Sequence, residues 1–141
     1  MLGLPYPGGP SISRAAANGD PTAYKFPRSF IHDKNRLQFS FSGLKTAVRY
    51  RLAGPGKPLP EKLDLSEQKL ADICASFEQA VVDCLVAKAV SAMKITGLRQ
   101  LCVGGGVAAN RRFRNQLAKA CLLYTSPSPR DATLSRMPSS A

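Results

Sequence analysis

The sequence is short of the side chains that most often build a metal or catalytic centre. It holds one histidine, His32, and four cysteines, Cys74, Cys84, Cys102 and Cys121, none of them in a Cys-x-x-Cys pair. A lone histidine in a polar loop reads as solvated or structural, because a metal needs several converging ligands. Three of the cysteines fall in apolar-periodic segments and read as small core residues of a reducing compartment, not as a disulfide frame or zinc site. No carboxylate pair, Ser/His/Asp set or Cys/His set is evident, which leaves peptide hydrolysis without a catalytic dyad. No apolar run is long enough to span a bilayer. The start, Met1-Leu2-Gly3-Leu4-Pro5, lacks the basic and apolar regions of a signal peptide. The expected location is cytoplasmic, with no membrane partner.

Acidic residues are scarce too. The 141 residues carry 20 Lys+Arg against 9 Asp+Glu, a formal charge of +11. That balance suits a polyanion such as RNA or a nucleotide, and it suits a non-specific basic surface equally well. Hydrophobic content of 44% is enough for a core, and the length fits one domain or a piece of a larger one. No internal repeat is present.

The clearest element is a long helix over residues 64–96. Leu70, Ile73, Cys74, Phe77, Val81, Cys84, Leu85 and Met93 recur at three- and four-residue spacing, with Ala80, Val82, Val86, Ala89 and Val90 widening the stripe. Asp64 with Glu67 resembles a capping box, and Ser66 is the alternative cap. Gly97 is a natural stop. Next, Leu98-Arg99-Gln100-Leu101-Cys102-Val103 predicts a buried strand. Gly104-Gly105-Gly106 breaks it, and a helix resumes from Asn110 with Phe113, Leu117 and Ala120 on one face. Helix, strand and helix predict an α/β architecture with a mainly parallel sheet.

A strand that ends in glycines and feeds a helix can hold a nucleotide. Glycine lets a ligand approach the backbone, and the helix start favours anions. Asn110 can cap the helix or turn its amide to a ligand. The run is neither a P-loop nor a dinucleotide fingerprint. On spacing alone, a binding loop and a plain connection are equally good readings, and Arg111, Arg112 and Arg114 are either ligand charges or a solvated face.

Two further motifs precede it. Tyr6-Pro7-Gly8-Gly9-Pro10 predicts a rigid turn. Phe39-Ser40-Phe41-Ser42-Gly43-Leu44-Lys45-Thr46 alternates aromatic and hydroxyl residues, which predicts a short strand with Phe39 and Phe41 inward. Its Ser42, Gly43, Lys45 and Thr46 suit phosphates or RNA, or an ordinary turn.

Taken in order, these motifs resemble one family. Gly3-Leu4-Pro5-Tyr6-Pro7-Gly8-Gly9-Pro10, Phe26-Pro27-Arg28, residues 39–46, Ala75-Ser76-Phe77 and Gly105-Gly106-Val107-Ala108-Ala109-Asn110-Arg111 look like the TsaD (YgjD) family. These are tRNA N6-adenosine threonylcarbamoyltransferases, formerly called glycoproteases or O-sialoglycoprotein endopeptidases. The resemblance covers residues 1 to about 121. It implies an actin-like ATPase fold of the sugar-kinase and Hsp70 type, here a partial domain. It implies transfer of threonylcarbamoyl from threonylcarbamoyl-AMP to N6 of adenosine 37 in ANN-decoding tRNAs. One iron or zinc ion per subunit and TsaB- and TsaE-type partners are implied in addition. By motif position, Gly9 and Asn110 match residues that contact the adenylate substrate, and Gly105 and Gly106 match the neighbouring loop.

The departures shape the expectation. The family chain is longer. Its His-x-x-x-His metal motif, first nucleotide segment and Phe-Asp-Lys motif are expected upstream of Met1, and its Cys-Thr-Asp-Asn motif beyond Cys121. This chain therefore reads as a truncated C-terminal part, inactive alone and without metal ligands of its own. Residues 122–141 resemble nothing in the family and read as a disordered or artefactual tail. That tail holds only Arg130, Asp131 and Arg136 as charged residues, so the basic character belongs to residues 1–121. Two other readings stand beside this one. The first is a different actin-like enzyme, of carbamoyltransferase or sugar-kinase type, against which residues 39–46 argue. The second is a non-enzymatic basic RNA-binding module, which lacks the usual stacking aromatics.

Overall fold

The computed structural model describes residues 1–125. Four helices form: α1 (Gly8–Ala16), α2 (Ser42–Ala53), α3 (Glu67–Thr96) and α4 (Arg111–Thr125). The chain divides into two compact units. The first comprises Met1–Ser29 and Ser40–Val81, and the second comprises Phe30–Phe39 and the described residues from Val82.

In the first unit, apolar periodicity brings α2 and the first half of α3 together. Leu44 and Val48 of α2, one turn apart, are buried with Phe26, Ile73 and Ala80. Ile12 and Ala16 of α1 pack with Cys74 and Ala75 of α3. The polar side of α3 then ties down the loop after α1. Ser76 Oγ donates to the Asp20 carbonyl and accepts from the Tyr24 N–H, each at 3.1 Å. The Asp20 N–H donates to Asp72 Oδ1 at 2.9 Å. Gly19 makes this fit possible: a Cβ there would lie 2.0 Å from the Ala71 carbonyl oxygen.

In the second unit, Val82, Val86 and Met93 of α3 meet Phe113, Leu117 and Cys121 of α4. These positions lie four or seven residues apart along each helix, so one face of each helix is apolar. Lys88 interrupts the stripe on α3. It is 3% exposed, and its Nζ donates to the carbonyls of Phe30 and Asp33, both at 2.5 Å. A buried ammonium needs such acceptors. The same loop holds Phe30 at φ 60°, unusual for a bulky residue, with the Arg36 guanidinium 4.0 Å from its ring centre.

The long helix matches its sequence pattern. Of its two candidate caps, Ser66 makes the bond: its Oγ accepts the Lys69 N–H at 3.2 Å. Gly97, at φ 70°, ends the helix and donates its N–H to the Met93 carbonyl. Cys74, Cys84 and Cys121 are buried, Cys102 is exposed, and none of the four is in a disulfide.

Three expectations are corrected. The described residues contain no strand, so the α/β layer is not met among them. Residues 98–103 run extended, with Leu101 and Val103 packed on the second core, but a strand requires a partner to complete its ladder. Residues 39–46 do not form a strand either. Ser42 opens α2 and Phe39 is 54% exposed, while Phe41 packs on the first core. The burial of Leu44 and Val48 at helical spacing outweighs the short alternation before them. The Tyr6–Pro10 turn is instead a cis Tyr6–Pro7 bend leading into α1, whose first turn accommodates Pro10 because no N–H partner is lost there. The tail boundary at residue 122 falls within α4, and residues 126–141 lie outside the described residues.

Candidate functional site

Each unit places glycines at or just before the start of a helix. In the second unit, Gly105 has φ 84° and ψ −173°, a region essentially confined to glycine. A Cβ at Gly104, Gly105 or Gly106 would meet nothing within 4 Å, so the turn presents an open face. Glycine is demanded at position 105 by backbone shape, not by crowding. One 3-10 turn (Gly106–Ala109) follows, and then Asn110 caps α4. Asn110 Oδ1 accepts the Phe113 N–H at 2.8 Å, and its carbonyl accepts the Arg114 N–H at 3.0 Å. The oxygen serves the cap, and Nδ2 is the side chain's hydrogen-bond donor.

The first turn of α4 contains Arg111, Arg112 and Arg114 and no acidic residue. Cations at a helix start oppose the helix dipole. An anion bound beside the glycine turn would be favoured by both the dipole and the arginines. Gly105, Gly106 and Asn110 thus form one continuous arrangement suited to an anionic ligand.

Gly9 belongs to the first unit, as the second residue of α1. It is exposed, and a Cβ there also meets open space. No side chain caps α1 at Pro7. Side chains deeper in the helix hold its start instead. Buried Ser11 donates through Oγ to the Pro5 carbonyl at 2.6 Å and accepts from Arg14 Nη2 at 3.2 Å. Ser13 Oγ donates to Glu78 Oε1 on α3 at 2.5 Å. Gly8 borders an apolar pocket of about 420 Å³ lined by Leu4, Ile12, Phe41 and Leu44 among others, with Lys45 its one charged lining residue. The structure therefore brings the Tyr6–Pro10 and Phe39–Thr46 motifs to one pocket, which neither motif announced.

Ionisable groups respond to these surroundings. Burial, helped by the Glu78 charge, pushes the Cys74 thiol up to about 11. Burial raises the Cys121 thiol as well. Hydrogen bonds from the Thr22 hydroxyl and amide lower the Asp20 carboxyl. Among the described residues, no three His, Cys, Asp or Glu side chains converge to hold a metal, so these residues do not fit an iron or zinc ion. No described helix is long and apolar enough to cross a membrane.

Sequence reasoning missed Lys88, Gly19 and Glu78. Lys88 left one trace, a lysine set inside the apolar stripe of α3.

An open glycine turn, an asparagine cap and a basic helix start are features suited to an anionic, phosphate-type group. The relatives are more specific. Residues 1–132 match the family model TsaD, tRNA N6-adenosine threonylcarbamoyltransferase. The protein so named from Rhodopirellula baltica is 50% identical over 129 residues, covering 85% of this chain and 36% of that protein. Its namesake from Herminiimonas arsenicoxydans is 50% identical over 120 residues, covering 85% and 33%. A third, from Desulfotalea psychrophila, is 46% identical over 121 residues, covering 86% and 34%. The chain belongs to the TsaD family, whose members have the actin-like ATPase fold. It spans about a third of the length of the curated relatives it matches.

Proposed function

We propose that this chain contributes part of a tRNA N6-threonylcarbamoyladenosine synthase, with Gly105, Gly106 and Asn110 forming its adenylate-binding loop. The whole protein would transfer threonylcarbamoyl from threonylcarbamoyl-AMP to N6 of adenosine 37 in ANN-decoding tRNAs. The observation that carries this reading is the glycine-only backbone of Gly105, set in open space just before an Asn110-capped helix. Gly9 at the start of α1 is the second proposed contact. In the whole protein, residues 98–103 would gain the strand partners that an α/β sheet needs.

An iron or zinc ion would supply electrostatic positioning of the acyl donor in the whole protein. This chain's described residues would contribute the glycine backbone and the Asn110 amide, not ligands to that ion. TsaB- and TsaE-type proteins are the proposed partners, and the cytoplasm is the proposed location. Alone, the chain is expected to give no transfer to unmodified tRNA, and turnover in that assay would refute this.

The binding role is tested by titrating the chain with a non-hydrolysable threonylcarbamoyl-AMP analogue. Asn110→Asp keeps a capping oxygen but removes the Nδ2 donor. It should weaken analogue binding while leaving helix content unchanged. Equal affinity in both proteins would remove Asn110 from the site.

A further inference from the structure

Basic charge is distributed unevenly between the units. Residues 30–39 and 82–125 carry nine Lys and Arg against two carboxylates, Asp33 and Asp83, whereas the first unit carries nine against six. The excess is most concentrated on α4, which holds Arg111, Arg112, Arg114 and Lys119 and not one Asp or Glu. A solvated helix ordinarily mixes both signs and gains i,i+4 pairs, and it places acids, not arginines, at its start. This helix forgoes both gains, which is the pattern of a surface shaped by a partner.

Geometry sorts the α4 residues into faces. Phe113, Leu117 and Cys121 are buried on the second core. Arg111, Asn115 and Lys119 recur every four residues and are all exposed. They form a stripe about 12 Å long, at 1.5 Å rise per residue. It starts beside the glycine turn.

We propose that the exposed Arg111–Asn115–Lys119 stripe of α4 is a docking surface for the phosphodiester backbone of the substrate tRNA. Charge complementarity argues for this occupant: a row of cations and an amide, free of carboxylates, matches a line of phosphates and reads no base. The inference rests on the tRNA reading above and adds where the RNA lies.

The test measures binding of an unmodified tRNA transcript to the chain over a range of salt. Lys119→Ala should weaken binding and make the slope of log affinity against log salt shallower by about one. Asn115→Glu places a carboxylate mid-stripe, with a side chain that favours a helix more than asparagine does. It should weaken tRNA several-fold without lowering the melting temperature, so unfolding cannot mimic the effect. Lys62→Glu, exposed in the first unit, should change binding less than Asn115→Glu. Unchanged affinity and slope in both α4 variants would overturn the proposal. So would an equal loss from Lys62→Glu, which would reduce the effect to net charge. If the wild-type chain binds the adenylate analogue but no tRNA, the tRNA reading itself falls and this proposal falls with it.

Discussion

The two glycine-bearing helix starts look alike in sequence and are held in different ways. The start of α1, which includes Gly8 and Gly9, has no capping side chain; Ser11 and Ser13 hold the helix from within, through the Pro5 carbonyl and Glu78. The turn before α4 depends on one strained glycine and one asparagine cap. Glycine is therefore obligatory at position 105 and conformationally optional at position 9. At position 9, stability and ligand binding can therefore be separated by substitution.

Substitutions can break this comparison. The largest effect is expected for Gly105→Ala, which forces a Cβ into a glycine-only region and costs about 1–3 kcal/mol. Denaturant unfolding measures it, and an unchanged midpoint would mean the turn relaxes freely. Ser11→Ala leaves the Pro5 carbonyl without its donor, at about 1–2 kcal/mol by the same measurement. Asn110→Ala removes the cap, at about 1 kcal/mol, and Asn110→Asp should restore most of it. Gly9→Ala reverses the sign: an alanine in a helix with open space around it should add about 0.5 kcal/mol. If Gly9 meets the adenylate, the same variant should bind the analogue more weakly. A gain in stability with unchanged binding would make Gly9 an ordinary helix residue.

A different test of the same packing comes from pH. The Cys74 thiol is raised from 9.0 to about 11 in the folded chain. The stability tied to it is complete below pH 9 and is lost as pH climbs toward 11, because the unfolded thiol ionises first. Cys121 on α4 is raised by burial too, so alkali should weaken both helices. Melting curves between pH 8 and 11 show the loss, and a flat profile would deny the burial effect.

The sequence revealed most where the information is local. The apolar stripe of α3, its Gly97 stop and the Asn110 helix start follow from spacing and residue type alone. Residues 98–103 were misread because a strand is a property of a pair, and no partner strand lies among the described residues. Residues 39–46 were misread because two alternating aromatics are too short a pattern to outweigh Leu44 and Val48, one helical turn apart. Gly19 and Lys88 were invisible because their meaning comes from contacts about fifty residues away. The family motifs marked the α4 turn as a ligand site, whereas its backbone alone indicates only a place for an anion.

The Lys88 clasp also bears on the order of folding. Its acceptors, Phe30 and Asp33, lie 58 and 55 residues earlier in the chain. Helical turns of α3 form from neighbouring residues and are fast, while closing a loop that long is slow and entropically costly. Until the loop arrives, this stretch of α3 cannot leave water without stranding a cation. Burial of α3 beside α4 is thereby coupled to the arrival of the Phe30–Phe39 segment, so the two steps should finish together.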